Sequence, residues 1–412
     1  MDLSTEPAKV RAAEAARTSY GRLVALLAAA DGDVPAAEDA LADAFERALT
    51  RWPVDGVPAN PDAWLLTVAR NRRRDRWRSA AERTTTSLDP NRDAQVHIDH
   101  IDADEIEDRR LALMMVCAHP AINTAMHTPL MLNTVLGFTA DQIGRAFSVP
   151  TTAMAARLVR AKRRIKTARI PFVLPDAGAL PSRMAAVLEA VYGAFAIDWH
   201  RGGTATRDSL TAEALHLAET LSALVPDDAE AHGLAALINL SNARSPARFD
   251  VQGRMVPLAE QDTTRWDQHL IDRGMSHLRA AHRIGELGRF QLEAAISSLH
   301  CARRATGATD WPAIRDLYLV LRAVAPTLGG AVALAAVTAE VDGAQAALTM
   351  LDDLGDKTGH FQPAWSTRAH LLEKLGRLTE SLAAYDKAIS LTTDPAERAY
   401  LQTRLARLAR LT

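Results

Sequence analysis

The stretch from Gly137 to Arg169, GFTADQIGRAFSVPTTAMAARLVRAKRRIKTAR, limits what this chain can fold into more than any other. Its spacing predicts two helices joined by a tight turn. Thr139 is a good N-cap with Gln142 three residues on, which makes a capping box. Ile143, Ala146 and Phe147 give the first helix one apolar face. Ser148-Val149-Pro150 ends it, because the residue before a proline avoids the α region. Thr151 or Thr152 is placed to cap the second helix, and Met154, Leu158 and Ile165 recur at helical spacing on its buried side. The other side carries Arg157, Arg160, Lys162, Arg163, Arg164, Lys166 and Arg169, with no acidic residue between them. Such cations repel one another unless an anionic partner is present. A helix–turn–helix whose second helix is basic on its open face has the geometry that enters a DNA major groove, where the cations supply phosphate contacts. A solvated amphipathic helix is the plain alternative.

At 412 residues the chain is long enough for two to four domains with real cores. Its net charge is only -2, so a basic function must come from local asymmetry. Two cysteines, Cys117 and Cys301, are too few for a disulfide framework and point to a reducing, cytoplasmic setting. The N-terminus, MDLSTEPAKVRAAEAAR, is charged throughout and has no apolar signal segment. No stretch approaches about 20 uninterrupted apolar residues, so no membrane span is expected. Alanine and leucine abound and β-branched alternation is scarce, which predicts an almost wholly helical chain. There is no glycine-rich phosphate loop, no recognisable pair of catalytic carboxylates and no triad, so no enzyme, cofactor or metal is expected.

From the start, residues 8–30 read as one amphipathic helix with Tyr20, Leu23, Val24 and Leu27 on one face. Asp31-Gly32-Asp33 is a turn, with Asp33 capping a helix from Pro35 to Arg51. That helix buries Ala40, Leu41, Ala44, Phe45 and Ala48 and exposes Glu38, Asp39, Asp43 and Glu46. The loop from Trp52 to Asp62, WPVDGVPANPD, is too long and too distinctive to be only a turn. A helix from Ala63 to Glu82 ends in a second basic patch, Arg70-Asn71-Arg72-Arg73-Arg74-Asp75-Arg76-Trp77-Arg78. An aromatic among cations suits a base stacked where a phosphate is held; a core tryptophan is the equal alternative for Trp77. Residues 84–108 hold eight acidic residues against one arginine and read as an acidic linker, specific or merely solvated. Helix resumes at about Arg109 and leads through Pro129 into the helix–turn–helix.

Two small helical modules, each with a basic helix, joined by an acidic linker, resemble the two conserved domains of extracytoplasmic-function sigma factors. In the first module the residues carrying the resemblance are Ala37-Glu38-Asp39-Ala40-Leu41-Ala42-Asp43-Ala44-Phe45 and Asn60-Pro61-Asp62-Ala63-Trp64-Leu65-Leu66-Thr67-Val68-Ala69-Arg70-Asn71. In the second they are Gly137 to Ile143 and Ala153-Met154-Ala155-Ala156-Arg157-Leu158-Val159-Arg160-Ala161-Lys162. The likeness covers about residues 8–170. It extends, through Cys117-Ala118-His119-Pro120, Arg169-Ile170-Pro171-Phe172 and Glu260-Gln261-Asp262-Thr263-Thr264-Arg265-Trp266-Asp267, to the subgroup with a large extension ending in tetratricopeptide-like helices.

The resemblance implies an all-α chain with sigma region 2 at 8–83, the acidic linker at 84–108 and region 4 at 109–170. A helical middle domain at 176–310 and a tetratricopeptide-like domain at 311–412 follow. It implies core RNA polymerase and promoter DNA as partners. Asp39, Asp43 and Glu46 would dock on the β′ clamp helices, and the second module on the β flap. Asn60 would take a flipped base of the −10 element, with Arg70, Arg73, Arg74 and Trp77 holding the separating strands. The acidic linker would thread polymerase channels that otherwise carry nucleic acid. Thr151, Thr152, Ala155, Ala156, Arg157, Arg160, Lys162 and Arg163 would face the −35 element. Ala155 and Ala156 stand where the family often has larger polar residues, which points toward backbone and shape readout. A stand-alone helix–turn–helix regulator is the other reading, separated by whether promoter binding needs polymerase.

Cys117 and His119 form at most half a metal site, and a core cysteine is the better reading. The subgroup often has a second cysteine at the position of Ala118, and Asn-Glu-Gly-Tyr where Ala196-Ile197-Asp198-Trp199 stands. Beyond the prolines of 170–175, helices are expected at Leu180–Ile197, Ser209–Leu224 and Ala229–Ala243, a small hairpin at Phe249–Leu258, then helices from Arg265 to about Leu287, at Phe290–Arg304 and at Trp311–Val324. Leu328–Glu340 with Gly343–Leu354, and the two helices within Ala364–Leu391, look like repeats at about 34-residue spacing, closed by Pro395–Leu411. A partner of this extension, or a regulatory role for it, is expected.

Overall fold

The computed structural model describes residues 12, 19–81, 109–176, 178–199 and 207–410. The acidic linker and most of residues 8–18 therefore lie outside the described residues, as do the side chains of 76–81, including Trp77. The described residues are all-helical and separate into two compact units. The first holds residues up to Ile197 together with Asp208–Glu213, and the second holds the remainder.

The first unit begins with α1 (Tyr20–Ala28), α2 (Val34–Asp55) and α3 (Pro61–Ala81). Asp33 caps α2, accepting from the Ala36 N–H at 3.1 Å. The helix does not stop at Arg51. It runs through Pro53 to Asp55 and turns at Gly56, whose φ is +87°. The reason is Trp52, which is buried edge-on against Trp64 with ring centres 5.6 Å apart. Burying a tryptophan outweighs the one backbone bond a proline forfeits near a helix end. The expected long loop shrinks to a few residues, and Asn60 is its last, capping α3 by accepting from the Ala63 N–H at 3.0 Å.

Then come α4 (Arg110–Cys117), α5 (His127–Thr134), α6 (Ala140–Ala146) and α7 (Thr151–Thr167). The Thr139–Gln142 capping box forms as expected. The turn after α6 is made by Ser148, in the left-handed region at φ 54°, and Phe147 stays 41% exposed rather than joining an apolar face. Pro150, not a threonine, precedes α7; Thr151 instead donates to Asp141 at 3.2 Å. Met154, Leu158, Ala161 and Ile165 bury one side of α7. The helix α8 (Pro181–Trp199) also packs in this unit up to Ile197, Arg183 donating to the Met115 carbonyl at 2.9 Å. The boundary expected at 176 therefore falls later.

The second unit takes the rest of α9 (Arg207–Leu224), then α10 (Ala229–Ala243), α11 (Gln268–Ile284), α12 (Arg289–Thr306) and α13 (Trp311–Val324). Almost every residue of α10 is buried, between α11 and α12. Gly233 lets its backbone meet that of Gln291, where a Cβ has no room. The expected hairpin reduces to a single bridge between Phe249 and Met255, because the Asp250 carboxylate takes the N–H groups of Gln252 and Arg254 and closes a local turn. Trp266 is buried and Asp267 caps α11. Paired helices follow: α14 (Leu328–Val341) with α15 (Ala344–Asp353), α16 (Gln362–Lys374) with α17 (Leu378–Leu391), then α18 (Pro395–Leu408). Leu348, Leu351, Leu371, Ala384, Tyr385 and Leu401 share their core. Glu373 ties the last three helices, accepting from Tyr385 at 3.0 Å and from Arg404 and Arg407 at 2.7 Å each. Among the described residues no helix is long and apolar enough to cross a membrane.

Candidate nucleic-acid interface

The cations of α7 sort onto two faces. Lys162 leaves the open side: its Nζ lies 2.6 and 2.7 Å from the two oxygens of Glu38 on α2, and the two side chains are 13% and 18% exposed. One turn on, Lys166 pairs with Asp33, the N-cap of α2. Burial pushes the Glu38 carboxyl up, against the opposing pull of Lys162. Partial burial also works against ionised Asp33, but Lys166 and the Ala36 N–H outweigh it and hold that carboxyl below the usual range. Beside these pairs, α1 meets the end of α5: Gly21 touches the Val135 carbonyl so closely that no Cβ fits. The two modules are thus packed together within the first unit.

Arg157, Arg160 and Arg163 remain exposed on the other face of α7, with no carboxylate partner among the described residues. Arg164 donates to the Ala121 carbonyl at 3.2 Å. Arg157, Arg160 and Arg164 border a groove of about 440 Å³ whose apolar floor includes Ile122 and Met126. Thr151, Thr152 and Ala156 are exposed at the start of the helix and Ala155 is half-buried, so the first turns present short side chains only. Three guanidinium groups with no carboxylate partner among the described residues give the second helix of this pair an exposed face whose chemistry suits phosphate.

In the first module, residues 16–83 match the family model described as Sigma-70 region 2, and residues 183–282 match a family of unknown function. An uncharacterized protein of Rhizobium meliloti (strain 1021) is 35% identical over 382 residues, which cover 90% of each chain. The chain carries a sigma-70 region 2 domain. The likeness to the Rhizobium protein reaches well beyond the matched region 2 domain.

In this chain, the residues expected to handle promoter DNA and polymerase are placed differently from one another. Arg70 is exposed in the middle of α3. Arg74 is exposed and donates to Asn71 at 3.0 Å. Arg73 is not a free cation: it is nearly buried and holds Asp31 and the Leu27 carbonyl, stapling α3 to the end of α1. Asn60 spends its carbonyl oxygen on capping α3, so that oxygen is committed to the fold. Of the expected docking residues, Asp39 and Glu46 are exposed on α2, while Asp43 pairs with Arg72 at 2.7 Å. Glu38, expected to be exposed, is the partner of Lys162. Sequence reasoning missed Glu38, Asp33 and Gly21 as a contact surface; helical periodicity reports which side is polar, not which polar residue another module covers.

Cys117 is buried 3.5 Å from the Thr134 hydroxyl, and burial pushes its thiol up to about 12. His119 accepts from the Ala121 N–H at 3.1 Å, and its burial lowers it below the usual histidine range. Both are occupied locally, and among the described residues no group of three histidine, cysteine or acidic side chains is arranged to hold a metal ion.

Proposed function

We propose that this chain is a sigma factor that binds core RNA polymerase and directs it to specific promoters. Residues 8–83 would serve the −10 element and strand opening, 109–170 the −35 element, and the helical extension after them would receive a regulatory input or a protein partner. The observation that carries the reading is the free arginine row of α7, Arg157, Arg160 and Arg163, in a chain whose N-terminal module is a sigma-70 region 2. The short side chains around Ala155 and Ala156 favour backbone and shape readout over direct base contacts. Lys162 and Lys166 join the DNA face only after leaving Glu38 and Asp33.

Docking would use the exposed Asp39 and Glu46 on the clamp helices of the β′ subunit, with the β flap meeting the second module. Transcription from a random promoter library with purified core polymerase tests the proposal. Specific starts that appear only when the chain is added support it. Tight binding to one DNA sequence without polymerase, and no starts with it, would replace it with a stand-alone regulator.

A further inference from the structure

Two histidines in the second unit have no part in the function above. His232, in the first turns of α10, and His277, on α11, face each other with their Nδ1 atoms 3.0 Å apart. Each outer nitrogen has its own partner. His232 Nε2 lies 3.1 Å from the Pro226 carbonyl oxygen, in the loop after α9. His277 Nε2 lies 3.0 Å from one oxygen of Glu219 on α9. The other Glu219 oxygen accepts from Asn239 at 2.7 Å and from Arg273 at 2.9 Å.

Both ends of this chain of contacts accept only. A carbonyl carries no proton. Burial works against ionised Glu219, but hydrogen bonds from His277, Asn239 and Arg273 outweigh it and keep it a carboxylate. Each outer nitrogen must therefore donate, and the inner contact needs one proton more. That makes three protons on four nitrogens, whereas two neutral imidazoles bring only two. Without the third, two lone pairs face each other at 3.0 Å. The ring centres are 5.3 Å apart. This exceeds the nitrogen separation by two ring radii, so both nitrogens lie on the line between the centres, as an N–H···N bond requires. A zinc-like ion bonded at about 2.0–2.1 Å would hold two tetrahedral nitrogens about 3.3 Å apart, with their lone pairs converging on it. The cation that fits this gap is a proton.

The other charged groups here have defined places. Arg273 lies on Glu219. Asp227 and Asp228 follow Pro226, and Asp228 caps α10 through the Ala231 N–H. Glu230 turns to the start of α12, accepting from the N–H groups of Phe290 and Gln291, and Arg289 pairs with Glu293 there. His216 is one turn before Glu219 on α9. Arg273, Asp228, Glu230 and Arg289 are thus engaged away from the gap between the two rings.

We propose that His232 and His277 form a single-proton site, binding one proton jointly and using it to join α9, α10, α11 and the loop at Pro226. Every contact is made in the protonated form. The junction is therefore tight while the shared proton is bound, and it loosens when that proton is lost and the rings part.

The test uses the full chain labelled with 15N-histidine and followed by NMR from about pH 5.5 to 8.5. The two rings are expected to change along one shared curve that accounts for one proton, and the curve disappears in His232→Gln, leaving His277 to titrate alone. Two independent curves, or two neutral rings at the acidic end, would overturn the proposal. Amide hydrogen exchange is the second measurement. Protection in α10 and α11, corrected for intrinsic exchange, is expected to fall about tenfold across this range in the native chain. Unchanged protection overturns the coupling to the helices. Should His232→Gln not fold, the native chain still gives both answers.

Discussion

Asn60 answers to two demands at once. Its side-chain oxygen caps α3, and the resemblance assigns the same residue to a flipped base. Asn60→Ala is expected to cost about 1 kcal/mol of stability, the usual loss for a missing cap, measured by chemical denaturation. Asn60→Asp keeps a capping oxygen, so it should hold its stability while its negative charge impairs strand opening in a promoter-melting assay; equal stability loss in both variants would leave only the structural role. Glu219 sets a pH dependence at the same scale. Burial raises it, but His277, Asn239 and Arg273 reverse the sign and hold its carboxyl at about 2. Its folded value is depressed, so its contribution is present above the ordinary glutamate range near about 4.3. That contribution is lost as the pH falls toward 2. Thermal unfolding below about pH 4 should separate the native chain from Glu219→Gln, whose stability falls less steeply there.

At the scale of elements, the contact between α2 and α7 decides which cations are available. The pairs Lys162–Glu38 and Lys166–Asp33 hold α2 against α7 and engage two of the cations that a DNA face would otherwise use. Glu38→Lys repels Lys162 and frees it, and is expected to raise DNA affinity and steepen its fall with salt, measured by titration at several salt concentrations. Arg157→Ala with Arg160→Ala should do the reverse, lowering the salt slope by about 0.9 for each phosphate that is no longer neutralised. Gly21→Ala gives a separate check. Alanine favours a helix by about 1 kcal/mol over glycine, yet here its Cβ collides with the Val135 carbonyl, so a net loss of thermal stability is expected.

For the whole molecule, the first unit extends past the connector prolines. A chain cut after Pro175 loses Arg183 from the Met115 carbonyl and leaves Arg110, a nearly buried cation, without Glu213. Removing one partner of a buried pair costs about 3–5 kcal/mol. Such a truncation should unfold several degrees below a chain ending after Leu224, read by differential scanning calorimetry. A lower transcription level from the shorter chain reports this damage together with any regulatory role of the extension, whereas the Leu224 truncation isolates the latter.

The sequence by itself determined the helices, and with them the fold class. Capping boxes, prolines and apolar spacing act within a few residues, so Thr139 with Gln142, Asp33 and the long run of buried positions in α7 were legible directly. The basic face of α7 was legible for the same reason. Trp52 shows where local signals yield: a prolyl residue and a glycine announce a loop, and burial against Trp64 carries the helix through them. Tertiary structure alone decided which cations stay free, which of them staple the fold, and that two histidines 45 positions apart in the chain would share a line of hydrogen bonds. These outcomes depend on pairings between elements far apart in sequence, and the charge of a side chain is the same whether or not a partner is folded against it.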